Sequence, residues 1–198
     1  MFPGFKPQNH PHQQATRGAL DSVDDRETPP DVFDPLNAEF RFTLDVAASK
    51  QNAKCARFYA KSPEETVFTR AQGALWQAKM AELGALGFDG LSYEWARNEI
   101  VWCNPPFSDI APWVQKAHES ACTVVMLLPA NRTEQPWWQR YVEPYRDKRL
   151  GVVSTRFLAG RRSFMHHGER IGNSTSKAPP FGVVVVIWDR RSAPGMGT

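Results

Sequence analysis

The 198-residue sequence lacks any apolar run approaching the roughly 18 residues of a membrane span, so no transmembrane helix is expected. Cysteine is scarce. Cys55, Cys103 and Cys122 are odd in number and widely spaced, with no CxxC pair and no His at zinc-finger spacing, which argues against a disulfide scaffold or structural zinc. The paired His166 and His167 are expected to be solvated, and no metal site is expected. An excess of one charge is missing too: 24 basic against 21 acidic side chains leave a net charge of +3. The stretch from Met1 to Gln14 has Pro, His and Gln where a signal peptide carries apolar residues, so a cytoplasmic location is expected.

What the chain does have is bulk for a core. Hydrophobic residues make up 41%, including seven Trp and twelve Phe, which excludes a wholly disordered chain at a length that suits one domain. Residues 1–27 and 189–198 are polar and rich in breakers. They are expected to be a flexible leader and tail around a domain spanning 28–188. Within that domain no internal repeat is visible, and short apolar runs alternate with helix-like stretches, the signature of an α/β fold.

Thr28-Pro29-Pro30 is read as a cap and proline start for a short helix over Asp31–Glu39. In FRFTLDVA at 40–47, Phe40, Phe42, Leu44 and Val46 alternate with polar residues, which predicts a strand with Asp45 on its other face near the C-terminal end. Ligands bind at strand ends in open α/β sheets. One or two helices are predicted between Pro63 and Gly87, a strand over Glu99–Cys103, a helix over Ile110–Ala121 and a buried strand over Thr123–Leu128. A helix from Thr133 toward Arg146, a strand over Leu150–Ser154 and a last strand over Phe181–Trp188 complete the reading.

Asn104-Pro105-Pro106-Phe107 follows a predicted strand and is the most informative tetrapeptide. An amino nitrogen on a heteroaromatic ring is a poor nucleophile because its lone pair is delocalised. The Asn104 side-chain carbonyl and the Pro105 backbone carbonyl are acceptors able to orient its two hydrogens. Two prolines fix the carbonyl direction, and Phe107 offers an apolar face on which a planar base can stack. The bland alternative is a proline turn with Phe107 packed in the core.

Four stretches occur together: TPPDVFDPLNAEF at 28–40, FTLDVAASKQNAKCARFY at 42–59, VWCNPPFSDIAPWVQKA at 101–117 and VVMLLPANRTEQPWW at 124–138. With a weaker fifth from Gly160 to Trp188, they make Thr28–Trp188, about four fifths of the chain, resemble the phage-type DNA N-6-adenine-methyltransferase (Dam) family. The resemblance implies a single Rossmann-like S-adenosylmethionine-dependent methyltransferase domain with a mixed, mostly parallel sheet. It further implies adenine N6 in double-stranded DNA as acceptor, and a phage- or prophage-encoded enzyme in a bacterial host cell. Catalysis then falls to Asn104, Pro105, Pro106 and Phe107. Thr28, Pro29, Asp45, Val46 and Ala47 match cofactor-binding positions, with Asp45 beside the methionine ammonium group. Asp89 matches a later acidic position near the cofactor's adenine, or is simply a helix-ending Asp-Gly turn. Two departures stand out: Asp45 to Ser49 replaces the usual glycine-rich loop, and the stretch 64–87 exceeds the family pattern and reads as packing.

From Arg140 to Lys177, nine basic residues face three acidic ones, a local excess that suits phosphate. Arg156, Arg161, Arg162 and Arg170, interleaved with Phe157 and Phe164, are the candidate DNA-binding residues, against the alternative of a solvated basic face. Gly168–Ser176 is expected to be a loop near the DNA. No helix-turn-helix or zinc finger is visible, so no recognition sequence can be read. A monomer is the simpler expectation. The same chemistry would also serve an N4-cytosine enzyme, or a methyltransferase of RNA or of a protein glutamine. A basic DNA-binding relic of the fold is the non-enzymatic alternative, opposed by the intact Asp45 and NPPF.

Overall fold

The computed structural model describes residues 27–61, 73–147, 152–162, 164–166, 169–170 and 181–191. The expected leader up to residue 26, the tail from 192, His167 and most of the 64–72 and 168–176 stretches lie outside the described residues.

Seven strands form one mixed sheet: β1 (Leu44–Ala48), β2 (Phe58–Ala60), β3 (Gly87–Phe88), β4 (Ile100–Cys103), β5 (Thr123–Pro129), β6 (Val153–Phe157) and β9 (Val183–Trp188). A small hairpin, β7 (Met165–His166) with β8 (Glu169–Arg170), stands apart. The sheet order is β3-β2-β1-β4-β5-β9-β6. Strands β3, β2, β1, β4 and β5 pair in parallel, and β9 inserts antiparallel between β5 and β6. The chain leaves β1 toward β2 on one side and returns to β4 on the other. A crevice therefore opens above the C-terminal ends of β1 and β4.

Alternation along the strands sorts the core onto two faces. Leu44, Val46, Val101, Met126 and Val186 meet helix α3 (Ala111–Glu119) and helix α4 (Pro136–Tyr141) through Trp113, Val114, Trp137 and Trp138. On the opposite face Trp102, Val125, Leu127 and Val185 meet Val32, Phe33, Leu36 and Phe40 of helix α1 (Pro30–Phe40). Helix α2 (Gly73–Leu83) precedes β3, and Gly84 leaves it with φ +71°, a left-handed exit that glycine adopts freely.

The strand expected over 40–47 begins only at Leu44. Phe40 closes α1, and Arg41 turns left-handed at φ 59° as its C-cap. The alternation of Phe40 and Phe42 reflects ring packing at a helix end: Phe42 lies 5.9 Å from Phe40 and 5.3 Å from Trp102. Asp45 is thus the second residue of its strand, although it does point away from the Leu44 and Val46 face. Thr28 is not the cap of α1: Pro29 holds that position, without a side-chain cap hydrogen bond. The helix expected over Asp31–Glu39 and the strand over Thr123–Leu128 run slightly longer, the strand expected over Leu150–Ser154 is shifted to Val153–Phe157, and the remaining predicted elements appear with trimmed ends. Strands β2, β3, β7 and β8 had no counterpart in the prediction.

Glu27 exchanges two backbone hydrogen bonds with Met165, 2.8 and 2.9 Å, which ties the start of the described chain to the β7 hairpin. At the other end Asp189 donates its N–H to the Val152 carbonyl at 2.8 Å.

Candidate active site

The crevice has two compartments that share Ala47, Asn52 and Asn104. The larger is a cavity of about 410 Å³, within the range of small-molecule sites. Its walls are Val46 to Ser49 from β1, Tyr59 to Lys61 from β2, Asp89 and Gly90 after β3, and Pro106 and Trp113 beyond β4. The smaller is a polar cleft lined by Glu27, Thr28, Asp45, Lys54 and Trp102 along with the shared residues.

Asp45 is 2% exposed. Its carboxylate accepts N–H groups from Ala47 at 3.3 Å and Lys54 at 3.0 Å. Those two bonds do not offset burial, which pushes its carboxyl up to about 6. The buried Thr28 Oγ1 has no hydrogen-bond partner among the described residues. A buried hydroxyl and a buried carboxylate lining one cleft suit an ammonium group, which would complete both.

The segment after β1 achieves its turn without glycine. Ser49 N–H donates to Asn52 Oδ1 at 2.6 Å, Asn52 N–H to Ser49 Oγ at 3.3 Å, and Ala53 N–H to the Ser49 carbonyl at 3.0 Å. Among the described residues, positive φ at non-glycine positions occurs only at Arg41, Asp89 and Asp147, so 45–49 has no conformational need for a glycine. Close approach demands glycine elsewhere: a Cβ on Gly90 would fall on the Val46 carbonyl.

Asp89, left-handed at φ 58°, starts a 3-10 turn over Gly90–Ser92. Its carboxylate accepts Leu91 N–H at 3.1 Å and Ser92 Oγ–H at 2.6 Å while the residue lines the cavity. The turn and the cavity wall are therefore one feature. Tyr59 stacks on Tyr93, with centroids 4.6 Å apart and planes 9° off parallel, giving the cavity a flat aromatic wall.

Asn104 leaves β4 half-buried between the compartments, and Pro105 is buried behind it. Phe107 lines neither compartment and packs, half-buried, against the core clusters of both faces. Its ring meets Phe164 edge-on at 5.8 Å and lies 6.1 Å from Phe181. Three segments distant in sequence thus bring aromatic rings together at Phe107.

The structure brings Thr28, Asp45, Val46, Ala47, Asp89, Asn104 and Pro106 to the crevice. Pro29 is buried at the start of α1 and lines neither compartment. The candidate DNA-binding residues are dispersed. Arg156 grips Glu39 through two bonds of 2.5 and 2.6 Å, which holds the Glu39 carboxyl low, and Arg162 lies 3.3 Å from Asp31. Both therefore fasten β6 and its following segment to α1. Arg161 is exposed, and the side chain of Arg170, on β8, lies outside the described residues. Sequence reasoning missed Ser49, Asn52, Tyr59, Lys61 and Trp113. The reciprocal Ser and Asn three residues apart was the legible signal for the first two.

No group of three or more metal-ligating side chains gathers among the described residues. No described helix is long and apolar enough to cross a membrane.

A sheet of this order, with its last strand antiparallel between β5 and β6 and a crevice at the switch point, is a Rossmann-like α/β fold. The family model for DNA N-6-adenine-methyltransferase (Dam) matches residues 16–81 and 78–196, and the chain belongs to that family. Its methyl donor is S-adenosylmethionine. No curated protein matches the chain. Among solved structures, the PH1948 protein of Pyrococcus horikoshii, described as an RNA methyltransferase, shares 15% identity at a TM-score of 0.46, covering 87% of this chain and 88% of that one. The 23S rRNA methyltransferase ErmE shares 12% at 0.47, covering 87% and 72%. At these TM-scores neither likeness bears on the substrate.

Proposed function

We propose that the protein methylates N6 of adenine in double-stranded DNA. The observation that carries this reading is the position of Asn104. It lines both the polar cleft and the adjoining cavity, and three residues further on the Phe107 ring packs with Phe164 and Phe181.

Thr28 and Asp45 would hold the cofactor's ammonium end, and Tyr59 and Asp89 its nucleoside end. Bound there, the cofactor supplies an electrophilic methyl carbon on a sulfonium. A flipped adenine stacks on Phe107, and the Asn104 side-chain carbonyl and the Pro105 carbonyl accept its two amino hydrogens. That alignment frees the nitrogen lone pair for in-line attack. The amine becomes strongly acidic as the new N–C bond forms and loses its proton to water, so no base with a shifted pKa is needed. The aromatic surroundings exclude water from the reacting nitrogen. Arg161, together with the exposed end of β6, would face the DNA backbone.

The test is incubation with labelled S-adenosylmethionine and methylation-free plasmid, followed by digestion to nucleosides and mass spectrometry. Labelled N6-methyladenine is expected. Label only in N4-methylcytosine would keep the mechanism and overturn the base. No label in DNA, with cofactor still bound, would overturn DNA as substrate.

A further inference from the structure

Four arginines of the C-terminal half face carboxylates: Arg156 faces Glu39, Arg162 Asp31, Arg146 Glu143 and Asp147, and Arg191 Asp189. Among the described residues Arg132, like Arg140, Arg161 and Arg190, does not, and its place in the fold sets it apart. It lies three residues past the end of β5, on the side where the crevice opens, and has no ion pair among the described residues. The carboxylate that feels its charge, Glu134, is held low first by a hydrogen bond from Gln135.

Among the described residues the Arg132 side chain makes one hydrogen bond, from Nη1 to the Phe107 carbonyl at 2.9 Å. That carbonyl ends the Asn-Pro-Pro-Phe segment, where two prolines remove two backbone donors. Within the turn, Asp109 N–H donates to the Pro106 carbonyl at 3.2 Å. Arg132 therefore fastens the segment from outside. The same loop is anchored at Ala130, whose N–H donates to the Gly182 carbonyl at 2.9 Å, next to Phe181. One short loop thus ties down the chain at two of the three clustered rings, Phe107 and Phe181.

A guanidinium carries five N–H donors in a planar fork, and one of them is engaged here. The residue is half-buried, so the rest of the fork can reach a ligand from outside. A guanidinium with no ion pair among the described residues, two residues from the exposed Glu134 and bonded to the carbonyl of the proposed base-stacking residue, matches the phosphodiester of a nucleic acid.

We propose that Arg132 holds a backbone phosphate of the substrate and the Phe107 carbonyl at once, so that phosphate binding sets the posture of the catalytic segment. This rests on the reading of the substrate as DNA. Against phosphate, Arg132 is a binding residue; through Phe107, it is a positioning residue.

The test compares wild type, Arg132→Gln and Arg132→Lys in three measurements: cofactor affinity, duplex affinity against salt, and single-turnover methylation. Arg132→Gln is expected to flatten the log–log salt slope of DNA binding by about one, the release expected for one phosphate contact. It is also expected to slow methylation by about tenfold or more, the effect of losing one charge-assisted hydrogen bond. Arg132→Lys should keep the salt slope and still lose rate, because a single ammonium does not span both oxygens. Cofactor affinity should stay within about twofold in both.

Unchanged slope in Arg132→Gln, or unchanged rate in Arg132→Lys, would overturn the coupling. So would a rate loss accompanied by an equal loss of cofactor affinity, which would mark a merely structural role. Wild-type protein that leaves duplex DNA unlabelled would overturn the substrate reading itself, and that result appears before any variant is made.

Discussion

The two flanks of the crevice are built differently. On the acceptor flank, β5 and β9 are buried along their whole length and pair over six residue positions. On the cofactor flank, β2 has three residues and β3 two, and the pairing of β1 with β2 slips between Asp45 and Ala48. The first flank is a stiff apolar wall behind the Asn-Pro-Pro-Phe segment. The second leaves a buried carboxylate and an unpartnered hydroxyl at the cleft. On the proposed reading, rigidity would sit where a weak nucleophile must be aligned, and polar groups where a charged cofactor must be held.

The sharpest way to separate the flanks is Asn104→Ala. Removing one preorganised acceptor is expected to lower the methylation rate about 100-fold or more with cofactor affinity retained, read by single-turnover kinetics beside calorimetry. Next in size is a core truncation on the acceptor flank. Leu128→Ala, at a fully buried position of β5, is expected to cost about 2–5 kcal/mol in denaturant unfolding.

The cofactor flank should reveal itself through pH. Asp45 has its carboxyl raised from 3.8 to about 6 in the folded chain, so the native state keeps a proton that the unfolded state loses. Stability without cofactor should therefore fall as pH rises from about 4 through 6, by a total of about 3 kcal/mol, and stay low above that window. In Asp45→Asn that slope should vanish. Smallest is Arg156→Gln at the outer edge, an exposed pair with Glu39, expected to cost about 1 kcal/mol or less.

The same contrast explains what the sequence made legible. Runs such as Thr123–Leu128 and Phe181–Trp188 announce themselves because strands buried on both faces are continuously apolar. Asn104 was readable because two prolines stop a strand in a way few other sequences do. Strands β2 and β3 were not readable, since two or three residues carry no period, and Tyr59 and Lys61 were lost with them. Phe40 and Phe42 misled because alternation along a helix end and its exit loop mimics a strand. The arginines of 156–162 were legible as charge, but Glu39 and Asp31, more than a hundred residues away, could not be foreseen as their partners. Arg132 was passed over because a single cation in a neutral loop shows nothing until its contact with Phe107 is seen.

The division of labour between the flanks is tested most directly by calorimetric titration of S-adenosylmethionine into wild type, Asp45→Ala and Phe107→Ala without DNA. Asp45→Ala is expected to weaken binding about tenfold or more, and Phe107→Ala to leave it within about twofold. Equal losses in the two variants, or full affinity in Asp45→Ala, would contradict the account.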